Sequence, residues 1–418
     1  MFYGWWVVGA GFTIALYVSG FVHFGFTAIF QPIADEFGWS HAQVSVAASM
    51  RGFEMGVFVP ILGFMVDRFG PRRLIAGGAW IAGLGLLLLS RVSSLAEFYG
   101  AFVLVALGTS ACVGVVPITA VNNWFHKRAT LATGILVSGT AAGGALIPLA
   151  TKLIDSLGWQ GAVGIIGLGT WVILVPVALL FRHRPEHYGF VPDGARHMEP
   201  VAGLDQPSMH GIEGRTAIRD ILKHRGFWHV AFGIMLHILV INAVVAHIMP
   251  YLGSTGMSRA GASLVASAVP LTSVVGRLGF GWLGDRFDGR FVTAGGLVLT
   301  SAGLLALAAV GDGSAWILVL FVVLFGVGYG GPVPMLPALL RAYYGNSKLG
   351  SVLGLALGAG ALGGFIGPLI AGWGFDRYGT YEGIWIAFAA LVTLGVISLL
   401  TAPSLERQGE PAESTAII

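Results

Sequence analysis

A single arginine lies inside one of the long apolar stretches of this chain. Arg277 stands in the apolar stretch 268–284. A guanidinium stays protonated in proteins, and insertion scales place its cost at the centre of a membrane helix at roughly 2.5–3.5 kcal/mol. A cation in this position needs an anion or an aqueous cavity, so we expect Arg277 to bind an anionic ligand.

Two further ionisable residues, Arg51 and Glu54, lie in another apolar stretch. They are three residues apart, which places them on one face of a helix. Three interpretations stay open: the two side chains neutralise each other, Glu54 carries a proton, or Arg51 is a second contact for the anion.

The composition identifies the elements that must hold these residues. Of 418 residues, 56% are hydrophobic and 10% are charged, and the mean hydropathy is +0.81. Soluble domains contain about 25% charged residues, so the composition predicts an all-α protein that crosses a membrane many times. The net charge of +3 comes without a dense basic run interleaved with aromatics, so no nucleic-acid partner is expected. Cys112, the single cysteine, cannot form an intrachain disulfide.

Segments of about 20 apolar residues can span a bilayer. Polar breaks separate twelve such segments, and the first is expected to be a retained span and not a signal peptide. We predict a six-helix bundle in residues 1–181, a linker in 182–226, a second six-helix bundle in 227–402 and a tail in 403–418. The predicted spans are residues 4–30, 41–66, 74–92, 98–121, 129–154, 161–181, 227–252, 259–284, 291–310, 315–340, 349–374 and 382–402.

The distribution of Lys and Arg predicts the orientation of these spans. Most of them fall on the side that holds both termini and the linker. Because basic residues concentrate on the cytoplasmic side, both termini are predicted to be cytoplasmic.

The two halves repeat at an offset of about 218 to 220 residues, as in transporters built from two related bundles. Arg277 aligns with Val59, so the scaffold itself does not require a charge at this position, and the broken symmetry indicates a site. The residue pairs that align include Pro32 with Pro250, Gly38 with Gly256, Ser40 with Ser258, Asp67 with Asp285, Arg68 with Arg286 and Pro148 with Pro368.

A loop motif follows the second span and recurs in part after the eighth. The first copy resembles the Gly-x-x-x-Asp-Arg-x-Gly-x-Arg-Arg signature of the major facilitator superfamily, which implies twelve helices in two pseudo-symmetric bundles. The resemblance implies that the motif gates the cytoplasmic side, although loops that only fix topology by their positive charge remain an alternative. The residues concerned are Gly63, Asp67, Arg68, Gly70, Arg72 and Arg73, with Asp285, Arg286 and Arg290 in the second copy.

Local features also resemble the monocarboxylate transporter and oxalate/formate antiporter group. These are the opening Tyr3-Gly-Trp-Trp-Val-Val, the segments 122–134 and 184–194, and Arg277 eight residues before Asp285. In that group the arginine of the eighth helix binds the substrate carboxylate, and the resemblance implies the same role for Arg277. An arginine can hold a carboxylate through two parallel hydrogen bonds.

Two departures from the group narrow the expected substrate. Ser273 stands where monocarboxylate transporters commonly have an aspartate, so their proton-carrying pair is not transferred. Residues 351–374 lack the lysine of oxalate carriers, and Lys348 lies only at the mouth of that helix. A single cation favours a monoanion.

The resemblance adds further candidates for substrate contact. His247 lies in the seventh helix, which faces the cavity in this fold, and it is a candidate for substrate binding or for carrying a proton, as Glu54 is for the latter. Tyr329, Asn242 and His23 are also candidates for substrate binding, with packing as the open alternative. For His23, His237 and His247 a core role is also open, because a lone histidine on an apolar helix face is more often a buried, satisfied core residue.

We therefore expect a proton-coupled symporter of small monocarboxylates such as lactate or pyruvate, working by alternating access as a monomer in the bacterial inner membrane. The expected partners are an organic monoanion, a proton and the lipid bilayer. An organic-anion exchanger is the nearest alternative, and a non-transporting sensor is a third. No His/Asp/Glu cluster with metal-ligand spacing and no nucleophile motif occurs, so no enzyme, metal or cofactor is expected.

Overall fold

The computed structural model describes residues 2–125, 129–182, 185, 222–310, 315–344 and 349–403. The predicted linker falls almost entirely outside these ranges, as does most of the predicted tail. Described residues form helices and turns with no strand among them, which confirms the predicted all-α class.

Six helices form the first bundle. The fifth and sixth share one continuous helical run, and Gly158, with φ of 73°, breaks it. The helices are α1 Gly4–Phe37, α2 His41–Phe69, α3 Pro71–Leu89, α4 Leu95–Trp124, α5 from Ala129–Ala142 through Gly143–Leu146 to the break at Gly158, and α6 from that break through Thr170–Leu174 to Val175–Ala178.

The second bundle repeats this count. Its helices are α7 Arg225–Ser254, α8 Arg259–Gly284, α9 Gly289–Ala308, α10 Ala315–Tyr344, α11 Leu349–Tyr378 and α12 Glu382–Leu400.

Ten segments of the described chain are long and apolar enough to cross a membrane. One of them, Leu131–Ala178, contains most of α5 and all of α6. The helix α2 has 29 residues and a length of about 43 Å, which completes the twelve. Several helices extend past the predicted spans, and α1 continues to Phe37 because its last turns are amphipathic and bury only one side.

The repeat is visible in the backbone at the start of α2 and α8. Gly38 and Gly256 adopt φ of 64° and 82°, a region that a Cβ atom makes unfavourable. Ser40 and Ser258 then cap the two helices, and each hydroxyl accepts a 3.2 Å hydrogen bond from the backbone nitrogen three residues later. Equivalent turn chemistry at equivalent positions confirms the pseudo-symmetry.

Three pairs of helices join the bundles. The helix α2 packs along α11, the second part of α1 packs on α7, and α5 packs on α8. Gly144 and Pro270 are in direct contact at the α5–α8 crossing.

Candidate functional site

Glycines on α8 and α10 place Arg277 beside α10. A Cβ atom at Gly276 would collide with the Val327 carbonyl, and one at Gly330 would lie 2.9 Å from the Arg277 backbone nitrogen. Small residues of this kind let helix backbones touch inside a membrane. The backbone of α8 therefore lies directly against Gly330, the residue after Tyr329.

The Arg277 side chain is half-buried, and its Nε atom is buried without a hydrogen-bond partner. No ion pair joins it to an acidic side chain among the described residues. One turn earlier, the Ser273 hydroxyl donates to the Pro270 carbonyl at 2.6 Å, so it is satisfied within its own helix. Arg277 thus keeps unused hydrogen-bonding capacity in an apolar surrounding, the property that an anion site needs.

A small cavity lies between the two bundles. It brings together His23 on α1, Thr109 on α4 and Asn242 on α7. His23 belongs to a π-helical stretch, Val18–Phe24, a local geometry that is frequent at functional sites, and its Nδ1 atom is buried without a hydrogen-bond partner. The remaining lining is apolar, and it consists of Val22, Phe26, Ala48, Phe102, Val105, Ala106, Val245 and Ala246.

The structure thus separates the predicted substrate residues into two groups. His23 and Asn242 line the cavity, whereas Arg277 lies where α8 contacts α10, next to Gly330, which follows Tyr329 in the chain. Among the described residues, neither Arg277 nor Tyr329 lines the cavity in this conformation.

His247 lies away from the cavity and is fully buried. Its Nε2 atom is 3.1 Å from the Pro368 carbonyl and 3.0 Å from the Ser45 hydroxyl, and its Nδ1 atom is 2.9 Å from the Tyr381 hydroxyl. Because the carbonyl only accepts and the Ser45 hydroxyl donates to the His41 carbonyl, Nε2 carries the hydrogen and Nδ1 accepts from Tyr381. The neutral imidazole therefore satisfies all of these groups and joins α7 to α2 and α11.

The loop motif is described only in part. The side chains of Arg51, Glu54 and Asp67 lie outside the described part of the chain, as does the surrounding of Gly63. Gly70, with φ of 77°, ends α2.

The described cations of the motif contact their own bundle or remain exposed. Arg68, Arg72, Arg73 and Asp285 are exposed. Arg286 stacks on the Trp282 ring at 3.7 Å. Hydrogen bonds from Arg290, the shortest at 2.7 Å, lower the pKa of Asp288. The gating role of the motif stays a prediction.

The structure adds a carboxylate contact that the sequence analysis did not identify. Asp376, near the end of α11, accepts hydrogen bonds from the backbone nitrogens of His41 at 2.8 Å and Ala42 at 2.7 Å. These nitrogens open α2, so an anion from one bundle binds the positive N-terminal end of a helix in the other. The sequence contains a signal for this contact. Residues 372–379 read Gly-Trp-Gly-Phe-Asp-Arg-Tyr-Gly, which has the same Gly-x-x-x-Asp-Arg-x-Gly spacing as the loop motif.

A second carboxylate contact lies at the same end of the molecule. Asp155 on α5 pairs with Arg259 on α8 at 2.7 Å, and Arg259 also donates to the Ala28 carbonyl of α1 at 3.2 Å. The Met249 backbone nitrogen donates to Thr27 at 3.1 Å. The bundles are thus bonded together at the end that carries the α1–α2, α5–α6, α7–α8 and α11–α12 connections, which we call the closed end.

Comparison with known proteins places this architecture in context. The model of the Major Facilitator Superfamily matches residues 12–258 and 240–416. An uncharacterized MFS-type transporter, YcxA, from Bacillus subtilis is 24% identical over 97% of this chain and 96% of its own length. Monocarboxylate transporter 13 from Bos taurus is 26% identical over 96% of this chain and 89% of its own length.

A solved structure shares the fold at low sequence identity. It is a bacterial homolog of the human lysosomal transporter Spinster in an inward-facing and occupied conformation, with a TM-score of 0.74, 15% identity, and coverage of 96% of this chain and 97% of that one. The match confirms the predicted fold of two six-helix bundles.

Proposed function

Because the chain belongs to the major facilitator superfamily, we propose that this membrane transporter carries small monocarboxylates such as lactate or pyruvate. The observation that carries the proposal is Arg277, a cation among membrane helices that has no acidic partner among the described residues and a buried Nε without a hydrogen bond. A carboxylate supplies the missing acceptors. The distant similarity to monocarboxylate transporters supports the same substrate class.

The tail of the substrate would occupy the apolar cavity between the bundles. His23, Thr109 and Asn242 give that cavity three polar positions, where a hydroxyl or keto oxygen next to the carboxylate can be bound. Tyr329, adjacent to the α8–α10 contact, would close the site from α10. Few polar positions and a single cation favour short monoanions over dicarboxylates.

Alternating access follows from the closed end. With both termini in the cytoplasm of a bacterial cell, the closed end faces outward, and the bundles must separate there to admit a substrate. The Asp67 and Asp285 loops lie at the opposite end and would serve as the gate there. The transporter is proposed to work as a monomer in the inner membrane.

Proton coupling is the second part of the proposal. The candidates from the sequence are Glu54 and His247, and His247 can take a proton only if Nδ1 gives up the hydrogen bond from Tyr381. Anion exchange is the alternative, favoured by the lack of an acidic side chain paired with Arg277 among the described residues. An exchanger requires substrate on both sides of the membrane, whereas a symporter does not.

The test is uptake of labelled lactate by purified protein in proteoliposomes. We expect Arg277→Lys to lower uptake about tenfold or more, since a hydrogen bond to a charged group contributes about 1.5–3 kcal/mol and lysine cannot form the bidentate pair. Arg91→Lys is the matched control, because Arg91 is exposed between α3 and α4, and it should transport as the wild type does. Undiminished flux in Arg277→Lys would remove Arg277 from the site.

A further inference from the structure

A second histidine of α7 differs from His247 in its surroundings. His237 is 4% exposed, and neither of its ring nitrogens has a hydrogen-bond partner. Buried polar atoms are nearly always paired in folded proteins, and an unpaired one often marks a group that binds something during function. An imidazole in which neither nitrogen makes a well-formed hydrogen bond is therefore a candidate ligand or proton site.

The packing of α7 shows where His237 points. Gly363 and Gly367 of α11 contact the backbone around Met235 and Leu239, so α11 covers a different face of α7. The backbone of Tyr329 on α10 lies beside the His237 ring and interacts with it, although outside the distance and angle of a well-formed hydrogen bond.

His237 and Arg277 thus approach the same turn of α10 from two sides. His237 adjoins Tyr329, and the Arg277 backbone nitrogen adjoins Gly330, the next residue. The two side chains belong to one bundle, so they move together when the bundles rock.

The electrostatic surroundings of His237 are simple. Among the described residues, no acidic or basic side chain acts on the ring electrostatically, and the group of α10 that interacts with it is the Tyr329 backbone. The nearest other histidine toward the start of α7, His229, lies 3.1 Å from the Ser398 hydroxyl of α12. The charge of His237 would therefore respond chiefly to an anion that enters beside Arg277.

We propose that His237 binds the proton that accompanies the carboxylate, an assignment that rests on the proposed function. The proton adds to a ring nitrogen from one side of the membrane and leaves from the other side with the carboxylate. The loaded site then holds Arg277, the anion and a protonated His237, and the empty site holds Arg277 and a neutral ring. The net charge is one positive in both, so loaded and empty bundles reorient with the same charge.

Thermodynamic linkage predicts how proton binding at His237 and carboxylate binding affect each other. A carboxylate bound near His237 favours its protonated form, and by reciprocity protonation raises the affinity for the carboxylate. Glu54 or His247 as the proton carrier would leave His237 without this response.

The transport test compares two kinds of flux in proteoliposomes. His237→Gln is expected to lose the stimulation of lactate uptake by an inward proton gradient while it retains lactate–lactate exchange at equal pH. His229→Gln, on the same helix but hydrogen-bonded to Ser398, is the matched control and should keep the stimulation. A His237→Gln protein that still responds to the gradient overturns the assignment.

Histidine-labelled protein studied by nuclear magnetic resonance provides a readout that does not depend on transport. The His237 ring signal is identified by its absence from His237→Gln, and it is followed from pH 5 to 8 in the wild type with and without lactate. We expect lactate to shift its titration to higher pH. A ring that stays neutral throughout overturns the proposal even if lactate is carried. Conversely, a ring that titrates in a protein that carries no lactate supports the proton site and contradicts only the substrate.

Discussion

Two carboxylates hold the closed end together, and the repeat places them at equivalent positions. Asp155 and Asp376 each lie three residues before a glycine of positive φ, Gly158 at 73° and Gly379 at 71°. Each meets the first turn of a helix in the other bundle, α8 for Asp155 and α2 for Asp376. Asp155 and Asp376 are separated in the sequence by one residue more than Pro148 and Pro368, a pair that the repeat also aligns.

The partners of the two aspartates differ in chemistry. Asp376 binds backbone nitrogens that any residue supplies, with the His41 Nδ1 atom at 3.6 Å as an additional contact, and the buried ring of His247 bonds α7 to α2 and α11 nearby. Asp155 binds the side chain of Arg259, and these side chains are 45% and 38% exposed. The repeat therefore preserves where the carboxylate lies, while the strength of each contact depends on burial. We expect the α2–α11 contact to dominate the closed end.

Removal of the His247 ring should open the closed end more than the loss of either carboxylate. His247→Leu leaves the Tyr381 hydroxyl and the Pro368 carbonyl without their buried partner, at about 1–3 kcal/mol for each unpaired group. The closed population should fall tenfold or more. Spin labels at Asp35→Cys and Ser254→Cys, which line one cavity at the closed end from opposite bundles, report this as longer distances.

The labelling requires no change at the native cysteine, because Cys112 is 1% exposed. His229→Leu serves as the control, since it breaks a contact within one bundle. An unchanged distance distribution in His247→Leu would show that the buried network does not hold the closed end.

Loss of the Asp376 carboxylate should have an intermediate effect. Asp376→Ala removes an anion from the first turn of α2, where such interactions contribute about 0.5–2 kcal/mol. Asp376→Asn keeps an acceptor but loses the charge, so it should fall between alanine and the wild type in the same distance measurement. Equal behaviour of the Asn and Ala proteins would indicate that the charge carries the whole contact.

Sequence alone predicted the parts of this arrangement that depend on local pattern. Hydropathy located twelve helices because each must satisfy its own backbone in lipid, and paired residues such as Gly38 with Gly256 and Ser40 with Ser258 predicted equivalent turns. The cation at Arg277 was visible because a charge in an apolar stretch requires an explanation. The predicted helix ends were too short where the last turns are amphipathic, as in α1.

The partners of individual side chains could not be predicted in the same way. The sequence left His247 open between a cavity role and a core role, and its ring bonds to Pro368 and Tyr381, more than 100 residues away. Nothing local to α7 distinguishes it from His237, whose nitrogens have no partner. Long-range packing decides which of two similar histidines is satisfied. A third copy of the Gly-x-x-x-Asp-Arg-x-Gly spacing was readable at 372–379, but its partner, the backbone of α2, carries no side-chain signature.

The smallest effect is expected at the exposed pair. Asp155→Ala removes a surface ion pair, which typically contributes about 0–1 kcal/mol and weakens as salt screens it. The spin-label distances should change little at low salt and not at all at about 1 M salt, where the Debye length is near 3 Å. Most of the effect of Asp376→Ala should persist under the same salt, because its hydrogen-bond partners are backbone groups at a fixed helix end, whereas its contact with the His41 ring is longer, at 3.6 Å. A larger opening of the closed end in Asp155→Ala than in Asp376→Ala would contradict this order. It would show that burial does not set the relative strength of the two contacts, and that Arg259, with its hydrogen bond to the Ala28 carbonyl, makes the stronger contact.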